Sequence, residues 1–229
     1  MISEQRERWL AEGSPPVPTL VVDGVRHVLQ HPAQVALILG LESPPALRDA
    51  WQVAWDVDAL AEAWVEVAEA TPWPALLDPA PGLGRTPLAL TVDALVGISA
   101  LTNALSSGWF HWPGNPVTGE LGDAMVVAYE ASIVAEIHER SRLLAFARPV
   151  AAAWRHAIHE HDDVLRAEPD RIVGAPRGEI TLVELLEAQR LHAAQHYRQA
   201  TTTLAGRGHP VPELDLAALY GIRLPDAIF

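Results

Sequence analysis

The chain has 229 residues, 49% of them hydrophobic, and sets 16 basic side chains against 29 acidic ones for a formal charge of −13. Every basic residue is Arg, and Cys is absent. These absences exclude a disulfide framework, a thiol nucleophile, Cys-held metal, and a Schiff-base or phosphate-binding Lys, and the acidic balance argues against a nucleic-acid partner. Carboxylates, hydroxyls, Arg and ten His remain for chemistry. No uninterrupted apolar run approaches the roughly 20 residues that cross a bilayer. The opening MISEQRERWLAEG is too charged for a signal peptide. A cytoplasmic protein without a membrane partner is expected.

The first element predicted is a hairpin. VPTLVV (17–22) and VRHVL (25–29) flank Asp23-Gly24, a dipeptide suited to a two-residue turn. Pro32 then opens a short apolar helix that Gly40 ends. This β-β-α appendage, residues 1–42, is too small to stand alone. The edge of its hairpin is expected to pair with a second copy, giving a homodimer.

From Ser43 the pattern is helical. A first helix is predicted over 44–70, with Ser43 as N-cap and Ala50, Val53, Val57, Leu60, Trp64 and Val67 forming its seam. Trp51, Trp55 and Trp64 read as core. The Pro-rich stretch 71–85 is predicted as a loop. A second helix covers 87–109, capped by Thr86 and opened by Pro87, with Leu88, Thr91, Leu95, Ile98, Thr102, Leu105 and Trp109 on its seam. Trp109 and Trp112 flank the following loop and are candidates for a pocket mouth. A third helical region spans 123–167, with a break or kink at Pro149, after Ala147. Its RHAIHEHDD run (155–163) reads as a solvated face, because the three His do not converge on a helix. Residues 168–179 are predicted as loop. A last helix covers 182–205, opened by the capping box Thr181/Glu184 and closed by Gly206. The fold class expected is all-α: a four-helix bundle over 43–206, with a tail, 207–229, packing on it.

The last helix carries the chemistry. Its seam runs Leu182, Leu185, Gln189, His192, His196, Gln199, Thr203, so it turns from apolar to polar where a core face should stay apolar. His192 and His196 are four residues apart, a spacing that lets two imidazoles bind one metal ion. Two hydrogen-bonded His at a helix face satisfy the same spacing.

The segment TLVELLEAQRLHAAQHYRQATTTL (181–204) resembles the last helix of the DinB-like (YfiT-like) superfamily, through Thr181, Leu182, Glu184, Leu185, Leu186, His192, His196 and Gln199. The resemblance implies a four-helix bundle and a divalent metal, often zinc or nickel, held by three His. Among the residues here it implies His192 and His196 as metal ligands, with Gln199 orienting them from behind. It further implies a metal-dependent enzyme, a thiol-dependent S-transferase or isomerase, or a hydrolase, that uses a low-molecular-weight thiol. In the family a third His comes from the second helix; in TVDALVGI (91–98) that position falls on Ile98. His111, His138, His156 and His161 are alternative third ligands, and Asp58 and Glu130 are carboxylate alternatives. If the last two helical regions form an antiparallel hairpin, His192 comes level with about Arg155, near His156. With Ile98 in the ligand position, a non-catalytic bundle that binds a small molecule or only dimerises is the competing expectation. VPTLVVDG (17–24), with Pro18, is similar to the second half of a glutaredoxin-like domain; without Cys, no redox activity follows.

Overall fold

The computed structural model describes residues 19–22, 25–28, 48–79, 84–111, 123–175, 178–212 and 214. The chain divides into two compact units, Met1–Leu47 with Phe229, and Arg48–Ile228. In the first, β1 (Thr19–Val22) and β2 (Val25–Val28) form an antiparallel hairpin with Val22 opposite Val25. Pro18, Asp23, Gly24 and the helix expected after the hairpin lie outside the described residues.

In the second unit, α1 (Ala50–Ala70) starts later than expected. Asp49 caps it, its carboxylate accepting from the Gln52 N–H at 3.0 Å. The predicted cap, Ser43, lies outside the described residues. A one-turn helix, α2 (Trp73–Leu77), occupies part of the Pro-rich loop. Helix α3 (Pro87–Ser107) has the predicted start: Thr86 accepts from the Ala89 N–H at 3.1 Å, and Pro87 needs no donor in the first turn. Gly108, at φ 76°, ends it in the left-handed conformation, so Trp109 falls outside the helix.

The third helical region is divided differently from the prediction. It forms α4 (Asp123–Glu136), α5 (Arg140–Glu160) and α6 (Asp162–Ala167), with breaks at 137–139 and at His161. Pro149 stays inside α5. Both Pro149 and Ala145, whose carbonyl would pair with the missing N–H, face solvent, so water can take the lost bond. The expected loop at 168–179 contains a second hairpin, β3 (Ile172–Ala175) and β4 (Gly178–Thr181). The unit is therefore mostly helical and not all-α. Helix α7 (Leu182–Gly206) opens with the predicted capping box. Its C-cap is Arg207, with the positive φ at Gly208.

Helices α1 and α3 each pack against both α5 and α7. Ala54 meets Trp154 and Glu69 meets Arg148, so α1 and α5 are antiparallel. Asp56 meets Arg190 and Trp64 meets Tyr197, so α1 and α7 are parallel. The core holds Trp64, Trp154, Tyr197 and Leu60, each at most 2% exposed. An aliphatic side chain buried there contributes roughly 1.5–3 kcal/mol. Trp51 and Trp55 pack at its edge. Helix α3 is long and apolar enough to span a bilayer, with mean hydropathy 1.6 over its most apolar window, yet 72% of that window is buried within the protein. At the start of the tail, Val211 and Leu214 lie against the core, and the Tyr197 hydroxyl donates to the Pro212 carbonyl at 2.9 Å.

One buried ion network joins α1 to α7. Arg190, 2% exposed, binds Glu187 at 2.5 Å and Asp56 at 3.5 Å. Arg48 and the Gln52 amide also donate to Asp56. Burial raises the Asp56 pKa, against the pull of Arg48.

Candidate metal centre

On its α3-facing side, α7 presents His192 and His196 to Asp93. The two rings meet edge to face with centroids 4.4 Å apart. His192 Nε2 lies 3.1 Å from Asp93 Oδ1, and His196 Nε2 lies 2.9 Å from Oδ2. One ligand atom from each of the three residues falls within 4.8 Å of the others, a group that can hold a metal ion. Imidazole nitrogens and carboxylate oxygens bind zinc-like ions at about 2.0–2.2 Å, which puts neighbouring ligand atoms about 3.3–3.6 Å apart in a tetrahedral site. The nitrogen–oxygen separations here, 3.1 and 2.9 Å, are hydrogen-bond distances a few tenths of an ångström shorter than that.

The surroundings are polar and largely enclosed. Arg85, just before α3, places Nη2 2.6 Å from Asp93 Oδ2 and 3.9 Å from Glu130 Oε2. The Asp93 side chain is 11% exposed, that of His196 also 11%, and that of His192 40%. Burial alone would raise the Asp93 pKa, but the hydrogen bonds with His192 and His196 overcome it and hold the carboxyl far below its usual range. Burial lowers the His196 pKa, with Asp93 pulling the other way. Burial, then the charge of Asp93, pushes Glu130 up to about 8, with Arg85 opposing.

Gln199 supplies a test of fit. His196 Nδ1 lies 2.9 Å from Gln199 Oε1, which only accepts, so Nδ1 carries the proton. In a neutral ring the Nε2 lone pair then points at Asp93, acceptor against acceptor. A second ring proton, a cation between them, or a reversed Gln199 amide resolves the clash. Burial disfavours the second proton. A cation or a reversed Gln199 amide then satisfies both groups.

The expected third ligand is not where the sequence placed it. Ile98 is 1% exposed in the core, and five residues along a helix turn it well away from Asp93. His111 Nδ1 lies 3.0 Å from the Trp109 carbonyl, beyond the end of α3. His138 is exposed between α4 and α5. His156 is exposed and 3.7 Å from Glu160, and the His159 ring packs on Trp55, as a solvated face edging the core would do. His161 is at the junction of α5 and α6, with a buried Nε2 that has no hydrogen-bond partner among the described residues. Asp58 pairs with Arg155 at 2.7 Å. The hairpin assumption that brought His156 level with His192 fails because α7 packs chiefly on α1 and α3, not on α5. Of the alternatives, Glu130 alone comes near the cluster, through Asp93 and Arg85. Trp112 lies outside the described residues, and Trp109, 48% exposed, stacks on Gly174.

Asp93 stands inside TVDALVGI, yet the sequence pattern alone does not mark it as a ligand. The available signal was that it is the sole charged residue of α3. A charge alone in a buried apolar helix needs a partner. No protein-family model, curated protein or solved structure matches this chain.

Proposed function

We propose that the chain is a metal-dependent enzyme of the DinB-like type, in which α1, α3, α5 and α7 form a four-helix bundle and Asp93, His192 and His196 hold a divalent ion. The observation that carries this reading is the convergence of those three side chains from α3 and α7, with one ligand atom of each within 4.8 Å of the others. The ligand set is two His and one carboxylate, suited to borderline ions such as zinc or nickel. Such an ion, when bound, supplies Lewis acidity and lowers the pKa of a water or thiol beside it.

The protein's own groups divide the remaining work. Asp93 brings the negative charge that a cation needs, and the lowered pKa keeps it ionised. Gln199 holds the proton on His196 Nδ1 and so directs Nε2 inward. Glu130, at about 8, holds a proton at neutral pH beside the ligands and suits a general acid. With no Cys in the chain, a thiol reactant is a small molecule, and the reaction is S-transfer with a low-molecular-weight thiol, or hydrolysis.

Elemental analysis of protein purified without a metal-affinity tag tests this. About one divalent ion per chain is expected, lost in His192→Ala. Protein that holds no metal, and takes up neither added zinc nor nickel, overturns the reading. One observation favours a non-catalytic alternative, a ligand-binding or dimerising bundle. Arg85 and the two His already lie against both oxygens of Asp93, and with the Gln199 amide reversed, so that His196 Nε2 donates, the network closes without a cation. In that case His192→Ala changes stability and leaves metal content at background.

A further inference from the structure

A cavity of about 280 Å³ lies between α3, α4 and α5, lined by Val96, Ser99, Tyr129, Ala145, Phe146, Pro149 and Val150. None of these side chains is charged, in a chain of net charge −13. An ion there would find no counter-charge in the wall. The volume is below the roughly 300–1,000 Å³ of sites for drug-sized ligands. Apolar cavities of about 150 Å³ already admit benzene, so one ring fits.

The polar features of the wall are few. Ser99 and Tyr129 contribute hydroxyls. The third comes from the backbone: Pro149 has no N–H for the Ala145 carbonyl, four residues back in α5, and both residues line the cavity. A helix interior normally offers no such acceptor. Here a proline that leaves α5 otherwise intact leaves that carbonyl without its helical donor, beside Phe146 and Val150 and open to water or a ligand. The cavity also shares two helices with the metal-site residues: Val96 lies three residues from Asp93 on α3, and Tyr129 precedes Glu130 on α4.

We propose that this cavity binds a small neutral molecule of one ring bearing a single hydrogen-bond donor, the phenol class, with the donor directed to the Ala145 carbonyl. The site goes beyond the metal reading and stands without it.

Calorimetric titration of the metal-free full chain with p-cresol and with toluene tests it, with amide chemical shifts mapping the contact. Binding of p-cresol near 1 mM is expected, with toluene about fivefold weaker for want of one hydrogen bond. The shifts should centre on Val96, Ser99 and Val150. Ala145→Trp, on the exposed rim, should fill the space and abolish binding of both probes. Pro149→Ala returns an N–H to the Ala145 carbonyl; p-cresol should fall to the level of toluene, and toluene should hold. The inference is overturned if p-cresol fails to bind by about 10 mM, if Ala145→Trp leaves binding unchanged, if the shifts centre elsewhere, or if Pro149→Ala keeps the preference for p-cresol. His192→Ala should leave p-cresol binding intact, which separates this site from the fate of the metal.

Discussion

Helix α7 carries two charged clusters on different sides. Toward α1, Arg190 sits between Glu187 and Asp56, a cation among anions, almost wholly out of water. Toward α3, His192 and His196 surround Asp93, and the cation there, Arg85, comes from outside the helix and is 38% exposed. The first cluster is closed: a permanent charge fills its centre. The second is made of groups that change protonation or bind metals, and part of it reaches solvent. Buried charge alone therefore does not mark a functional site. The kind of group, and whether its partners are permanent, separates structural ion pairing from a site able to exchange a ligand.

The comparison can be broken most forcefully at Arg190. Arg190→Met strands the buried carboxylate of Glu187, while Asp56 keeps Arg48 and Gln52, and should cost about 3 kcal/mol, read from urea denaturation, while metal content per folded chain stays unchanged. Gln199→Leu probes the other side. It removes the acceptor for His196 Nδ1 and should weaken zinc or nickel binding about 10–100-fold, measured by competition with a chelator. A closed polar network without metal would show no such change.

A pH series on metal-free protein gives a smaller effect. Glu130 titrates at about 8 in the fold against an ordinary 4.5. Between those values the folded chain keeps a proton that the unfolded chain has lost, so stability falls as pH rises from about 4.5 to 8. Glu130→Gln should flatten this slope, seen as urea midpoints at pH 5.5 and 8 that lie closer together than in the parent. Asp93 acts in a separate window: its lowered pKa contributes stability that is lost as pH falls below the ordinary 3.8. The least change is expected at Gly97, where an added Cβ would meet Gln189 Oε1 at 2.6 Å. The end of a flexible side chain can yield, and Ala favours helix over Gly by about 1 kcal/mol. Gly97→Ala should therefore shift stability by less than about 1 kcal/mol in thermal unfolding.

What the sequence revealed was local. Thr181 and Glu184 announce the start of α7, and Thr86-Pro87 that of α3, because a cap needs only its own first turn. The polar turn in the α7 seam singled out His192 and His196 for the same reason. Asp93 escaped because its role depends on which helix α7 lies against, and that is set by tertiary packing. The β3–β4 hairpin escaped because Pro and Gly dominate the stretch around its short strands. The break at 137–139 has no Pro or Gly to signal it, whereas Pro149 signalled a break that an exposed carbonyl made unnecessary.

The β3–β4 hairpin has a metric consequence. At one end, the Gly174 N–H donates to the Gly108 carbonyl at 2.9 Å, and the Phe110 N–H to the Gly174 carbonyl at 2.8 Å, pinning the foot of α3. At the other end, β4 runs straight into Thr181, the cap of α7. Fifteen residues separate Gly108 from Asp93, and fifteen separate Thr181 from His196. At 1.5 Å per residue both spans are about 22 Å. The hairpin is thus the common origin from which two antiparallel rulers are read, and carboxylate and imidazole meet at the same mark. One residue inserted in either span would displace its side chain by about 1.5 Å and 100°, leaving both helices formed and the pair apart.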